Sequence, residues 1–355
     1  MPTMNYAAKY SDKVDERFYL ESQALMGTNK DYDWSGVKTV KVYQIDTVGL
    51  VDYQRSGNSR YGQASDLGNT IQEMTLSQDK AFTYVIDKGD KNETMMVMDA
   101  GKSLAREQRE VMIPHIDAYI FNKQANAAVA NGQVDTVAAS SSTAYQKFLK
   151  ANETLSNKMV PESGRIAFCS YAFSNLLLLD PAFVKYGDRS QEMVIKGVIG
   201  EVDSCKIVRV PASKLPAGCS FLIVHQMATV APRTLEEYKI HDDPPGISGW
   251  LVEGRIIFDA FVLDAKKDCL YLGLCEGTLG AVTAGVDDDG KLTVTNPEHF
   301  VGTLMTKAGS TLPAYGDADT GYTAATIGET SIAADTIVAY VVDHKIVAAG
   351  LIDVA

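Results

Sequence analysis

AFTYVIDKGDKNETMMVMDAGKSLAREQREVMIPHIDAYIF, residues 81–121, changes its hydrophobic period partway along. Phe82, Tyr84 and Ile86 alternate with polar or smaller residues, the pattern of a half-buried strand. Asp87, Lys88, Gly89 and Asp90 supply turn chemistry, and Asp90 with Glu93 has the spacing of a helix capping box. Beyond them Val97, Ala100, Leu104, Val111, Met112, Ile116, Tyr119 and Ile120 recur at helical spacing, opposite Lys102, Arg106, Arg109 and Glu110. A helix running on to about Ala130 would be roughly 55 Å long at ~1.5 Å per residue, the length of a spine. Pro114 inside it is expected to kink it.

Upstream, residues 37–51 (VKTVKVYQIDTVGLV) are β-rich with apolar residues on shifting faces, which predicts a strand with a bulge. Residues 52–68 (DYQRSGNSRYGQASDLG) read as a polar tip rich in Gly and Ser, and residues 71–76 return to β character. Together they predict a long protruding hairpin. Residues 1–36 are mixed and polar, too poor in apolar side chains to fold alone, and read as an arm that lies on something else.

Downstream, residues 138–143 (AASSST) form a loop and residues 144–155 an amphipathic helix. RIAFCS (165–170) reads as a buried strand and residues 172–179 as a helix stopped by Asp180-Pro181. Strands are expected at 206–210 and 221–225 around a turn at 214–218, and again at 255–263 and 269–272. From residue 275 the chain is rich in Ala, Gly, Thr and Val, with turn signals at 287–290 and 343–345 between runs such as 291–295 and 336–342. That composition predicts a β-rich module.

The 355 residues carry 33 Lys plus Arg against 45 Asp plus Glu, a net charge of −12, which argues against nucleic-acid binding through clustered cations. With 46% hydrophobic and 22% charged residues, the chain can bury the cores of about two domains. No apolar run is long enough to cross a bilayer and the N-terminus lacks a secretory signal, so a soluble protein made in a cytoplasm is expected. Cys169, Cys205, Cys219, Cys269 and Cys275 show no C-x-x-C pair and read as buried small hydrophobes.

The common dinucleotide, P-loop, zinc-protease and serine-hydrolase motifs are absent. Glu237 and His241, followed by Asp242-Asp243, could supply mixed metal ligands but read more simply as a polar loop. Asp287 to Asp289 lack EF-hand spacing and read as a turn. His115 and Asp117, two apart on a helix, face different directions, which makes His115 a surface residue, and His225 in FLIVHQM reads as a satisfied core histidine. The charges Arg106, Glu107, Arg109 and Glu110 are a solvated helix face or a contact with a neighbouring subunit. No catalytic, metal or cofactor residues are expected.

An extended arm and a protruding hairpin leave backbone and apolar groups uncovered unless another chain lies on them. In this order of elements the sequence resembles the major capsid proteins of tailed bacteriophages, whose Hong Kong 97-like fold also builds encapsulin shells. The resemblance is carried by AFTYVIDKGDKNET (81–94), SLAREQREVMIPHIDAYIF (103–121), VPESGRIAFCS (160–170), GEVDSCKIVRVPASKLP (200–216) and GRIIFDAFVLDAKKDCLYL (254–272). It implies an α+β chain with an N-terminal arm (1–36), an extended loop (37–78), a peripheral domain with the spine helix (79–159), an axial domain (160–253), strands returning to the peripheral sheet (254–274) and an appended β-rich domain (275–355).

The implied function is a homo-oligomeric shell of hexamers and pentamers around packaged double-stranded DNA, in the virion, assembled in the host bacterial cytoplasm without a membrane. No long charged helical leader precedes the arm, which implies a separate scaffolding protein; a portal and a decoration protein are the other implied partners. Some members of the family weld neighbours through a Lys on the extended loop, whereas residues 52–79 here contain none. Arg55 and Arg60, the cations of that loop, are expected to contact carboxylates of a neighbouring subunit. The competing readings are an encapsulin-type compartment and an α/β enzyme with a β-rich accessory domain.

Overall fold

The computed structural model describes residues 22–32, 39–64, 66–89, 100–185, 201–332 and 335–352. The capping box at Asp90 and Glu93 falls outside them. The spine is α-helical over Ala100–Glu107, π-helical over Gln108–Met112 and α-helical again over Ile113–Ala130. The wide turn sits immediately before Pro114, whose ring would otherwise crowd the carbonyl of Glu110, so the expected interruption takes the form of a π-bulge. The charged face, Lys102, Arg106, Arg109 and Glu110, lies on the first segment and the π-helical turn. In the second, Ile116, Tyr119, Ile120, Phe121, Ala125 and Ala128 are all buried, and so are Asp117, Asn122 and Gln124.

A six-stranded sheet lies on this second segment, in the order Val134–Asp135, Leu270–Gly273, Phe221–His225, Arg165–Ser170, Cys205–Val210, Glu201–Val202. The run RIAFCS is buried at every position because both faces of its strand are covered. Ile166, Phe168, Leu222 and Val224 pack towards the spine, while Ala167, Cys169, Ile207, Phe221 and Ile223 pack against Phe148 and Leu155 of the helix Ala144–Asn157 and Phe173 and Leu177 of the helix Tyr171–Leu179. Ser170 ends the strand and caps that last helix, its Oγ accepting the Phe173 N–H at 3.1 Å.

The strand Gln78–Asp87, which precedes the spine, pairs with Gly249–Phe258, and this in turn pairs with Arg233–Asp242, all antiparallel. Two expectations change here. The stretch holding Glu237 and His241 is a ten-residue strand, not a loop. Leu270–Gly273, expected to return with residues 255–263 to this sheet, instead pairs with Phe221–His225, because a 3₁₀ turn over Asp264–Cys269 redirects the chain into the six-stranded sheet. The inner face of the three-stranded sheet (Ile86, Val252, Tyr84, Trp250) covers Ala100 and Leu104 of the spine. Gly254 makes room there for Phe82, since a Cβ would lie 2.4 Å from its ring.

Residues 275–352 form a five-stranded sheet in the order Gly280–Ala281, Lys345–Ile352, Thr336–Val342, Thr303–Ala308, Thr323–Ala324, with a small hairpin of Ala284–Val286 and Leu292–Val294. The turn at Asp343-His344 has both residues at positive φ, the type I′ geometry of a tight hairpin. Asp287 Oδ1 accepts the N–H groups of Asp289 and Lys291, which makes residues 287–290 a turn. Val338, Tyr340 and Val342 share a core with Ile116, Ile120 and Phe121 of the spine, while Ile337, Ala339 and Val341 fill a second core on the outer face. Asn122 Nδ2 donates to the Phe300 carbonyl at 2.8 Å, and Tyr315 donates from its hydroxyl to the Thr136 and Leu274 carbonyls.

Candidate assembly surfaces

Thr39–Ile45 and Asn69–Thr75 pair antiparallel from Thr39↔Thr75 to Ile45↔Asn69. The register is unbroken, so the expected bulge is absent from these strands, and this two-stranded ribbon pairs with no third strand among the described residues. Its two halves differ. Near the body, Met74 and Leu76 are buried with Val230 and Leu263, and Val40 and Val42 pack on them. Farther out, Tyr43, Ile45, Val48, Leu50, Val51, Tyr53, Tyr61, Leu67 and Ile71 are all exposed, Leu50 completely. Full burial of one such side chain is worth about 1.5–3 kcal/mol, and an isolated two-stranded ribbon is marginal in water. A surface of this kind is built to be covered.

The tip is folded on itself. Gln54 N–H donates to the Arg60 carbonyl at 3.0 Å, Arg60 Nε to the Gly57 carbonyl at 3.2 Å, and the rings of Tyr53 and Tyr61 meet edge to face at 5.0 Å. Gly57 holds the turn at φ 97°, open to glycine and costly for other residues. Arg60 therefore spends one donor on the tip itself. Arg55 is exposed and enters no ion pair among the described residues.

Where the ribbon meets the body, Asp259 collects donors from three elements. Its Oδ2 accepts Ser77 N–H at 2.9 Å and Ser77 Oγ–H at 2.8 Å; its Oδ1 accepts Tyr119 Oη–H and Ala260 N–H, both at 2.8 Å. The carboxylate is buried, and burial together with the Asp259 hydrogen bond raises the pKa of the Tyr119 hydroxyl. Gln72 adds a brace, donating from Nε2 to the Val262 carbonyl at 2.9 Å and accepting Asp264 N–H on Oε1 at 3.1 Å. Sequence reading missed this cluster. Its one local signal is an aspartate interrupting the apolar run RIIFDAFVL, since an acidic side chain in such a run must find donors.

A second polar joint lies on the opposite flank of the spine. Asp117 is wholly buried, its Oδ2 accepting from Lys214 Nζ at 2.9 Å and from Gln23 N–H at 3.2 Å, its Oδ1 from Ser22 Oγ–H at 2.6 Å. The end of the N-terminal segment is thereby fastened to the body, and the 3₁₀ turn Ala24–Gly27 follows at once. Gly27 lies so close to the six-stranded sheet that a Cβ would sit 2.8 Å from Val224 and 2.9 Å from Phe168.

The remaining candidates disperse. Arg106 and Glu110 pair at 3.9 Å along the helix, Glu107 is half-buried and Arg109 exposed. His115 is half-buried against Phe258 rather than on the surface, because the π-bulge turns that part of the spine onto the three-stranded sheet. His241 faces Glu253 at 3.2 Å on the exposed face of its strand, and no group of three or more metal-ligand side chains occurs among the described residues. His225 is buried, its Nε2–H donating to the Ser163 carbonyl at 2.9 Å while Nδ1 accepts Met227 N–H. The cysteines Cys169, Cys205, Cys219 and Cys275 are buried; Cys269 is only half-buried. Burial pushes the Cys275 thiol up to about 12, far from a nucleophile.

Neither a scan of protein-family models nor a search of curated proteins finds a match. Solved structures do match. One from Mycobacterium phage Che8 is 15% identical with a TM-score of 0.63, over 77% of this chain and 98% of that one. The capsid of cyanophage P-SCSP1u is 12% identical with a TM-score of 0.61, over 76% and 92%, and the mature capsid of bacteriophage PhiM1 is 13% identical with a TM-score of 0.57, over 76% and 91%. At these identities the likeness lies in the backbone: spine, three-stranded sheet and outlying ribbon make this the Hong Kong 97-like fold of phage capsid subunits.

Proposed function

We propose that the chain is the major capsid protein of a tailed bacteriophage, a structural and non-catalytic protein whose copies close into an icosahedral head around double-stranded DNA. The observation that carries this reading is the ribbon. Its outer half exposes nine large apolar side chains on a backbone whose two strand edges are unpaired among the described residues, on a fold shared with phage capsids. A lone subunit leaves that surface in water; a closed lattice covers every copy of it.

In this reading residues 1–36 are the arm, 37–78 the extended loop, 79–159 with 254–269 the peripheral domain, 160–253 with 270–274 the axial domain and 275–355 an added β-rich domain. Arg55, Arg60, Arg106, Glu107, Arg109 and Glu110 meet neighbouring subunits. The net charge of −12 suits a wall that encloses DNA without holding it. A separate scaffolding protein, a portal and a decoration protein complete the assembly in the host cytoplasm.

Electron microscopy of the purified protein, alone and with a co-expressed scaffolding protein, is the test. Shells or rings of five and six subunits are expected. A discrete monomer or dimer under both conditions overturns the reading, and small shells loaded with host protein instead of DNA point to a compartment.

A further inference from the structure

The ribbon is a cantilever with a sharp boundary. From the Val42↔Gln72 pair inward one face of the ribbon, Val40, Val42 and Met74, packs on the body; outside that pair its large apolar side chains are exposed. We propose that Asp259 and Gln72 are positioning residues that set the direction in which the ribbon leaves the subunit, and through it the curvature and size of the assembled particle. The inference rests on the capsid reading.

The geometry is that of a two-point clamp. Asp259 holds the strand end through both donors of Ser77 and is itself locked to the spine by Tyr119, so the ribbon's base and the longest helix share one carboxylate. Gln72 lies five residues earlier and ties the ribbon to the backbone on both sides of Leu263. Two attachments at different points along a strand fix an angle; either one alone leaves a pivot. The ten residue steps from Val42 to Asp52 reach at most ~33 Å, and a rotation of about 10° at the base moves a point ~20–30 Å away by ~3–5 Å. That displacement exceeds what close-packed apolar contacts tolerate. A loosened base therefore changes which neighbour orientations the outer apolar surface can reach.

The partly exposed Gln72 is the safer probe and the buried Asp259 the stronger one. Gln72→Ala, Tyr119→Phe and Asp259→Asn subunits would be purified unassembled, checked for fold by circular dichroism and thermal midpoint, and then assembled beside the parent. The expected result is parent-like folding of Gln72→Ala and Tyr119→Phe, a broadened or shifted particle diameter, and about two- to tenfold more protein needed for half-assembly. Should Asp259→Asn fail to fold, the other two variants decide. Particles of parental diameter at the parental concentration from both of those variants overturn the inference. A parent that forms no particle at all overturns the capsid reading instead.

Discussion

Lys214 Nζ lies 2.9 Å from Asp117 Oδ2, and the carboxylate has no exposure to solvent. The pair joins the spine to the turn between two strands of the six-stranded sheet, with Ser22 and Gln23 completing the carboxylate's shell. Such a pair resists the loss of one member more than the loss of both, because a single deletion strands a buried charge. Lys214→Met should lower the unfolding free energy by about 3–5 kcal/mol, and Lys214→Met with Asp117→Leu by clearly less than the sum of the two single changes. Urea denaturation of the unassembled subunit measures both. Additive losses would show that the pair is not coupled.

Phe300 stacks on Tyr340 at 4.8 Å within the core that also holds Ile116 and Ile120. If residues 275–352 melted as a separate unit, Phe300→Ala would shift only a minor transition. The shared core predicts a single calorimetric transition that moves as a whole, with a loss of about 3–5 kcal/mol. For the same reason a chain cut after Leu274 should be insoluble, since truncation bares the face of the spine that Val338 and Val342 cover. A soluble truncated subunit with a cooperative melt would refute this.

Burial holds the His299 imidazole below its ordinary 6.5, with the ring edge against Phe300. On acidification the unfolded chain takes up this proton first, so the stability associated with neutral His299 is complete above pH ~6.5 and falls as pH drops from there towards the folded value. The slope from this one group cannot exceed ~1.4 kcal/mol per pH unit. His299→Gln should flatten the acid limb of a stability curve recorded between pH ~7.5 and ~5, and an unchanged slope would remove His299 from the account.

Residues 52–79 contain no lysine, and the guanidinium groups of Arg55 and Arg60 stay protonated and cannot attack an amide. Boiling assembled particles in detergent and reductant should therefore release one band near 38.5 kDa. A ladder of covalent multimers would direct attention to Lys41, exposed on the ribbon 3.4 Å from Glu73.

Much of this molecule is written in local pattern. RIAFCS and FLIVH are strands at their expected bounds because a short β-rich apolar run has nowhere to go but the middle of a covered sheet. The Pro114 irregularity, the helix begun by Ser170, the hairpin turns at 287–290 and 343–344 and the outlying ribbon are likewise set by residue type over a few positions. Tertiary structure alone decided the rest. Nothing in CLYL distinguishes the sheet it joins, nothing near Glu237 marks a strand whose exposed face is charged, and nothing around Lys214 points to Asp117, 97 residues away. Ser77 and Asp259 are separated by 182 residues and meet only because the strand Gly249–Phe258 runs back along Gln78–Asp87 and delivers the residue that follows it to the ribbon's base. Side-chain periodicity records which face of an element is buried. Which partner buries it, and where a buried carboxylate finds its donors, depends on pairings between distant segments that leave no trace in either segment alone.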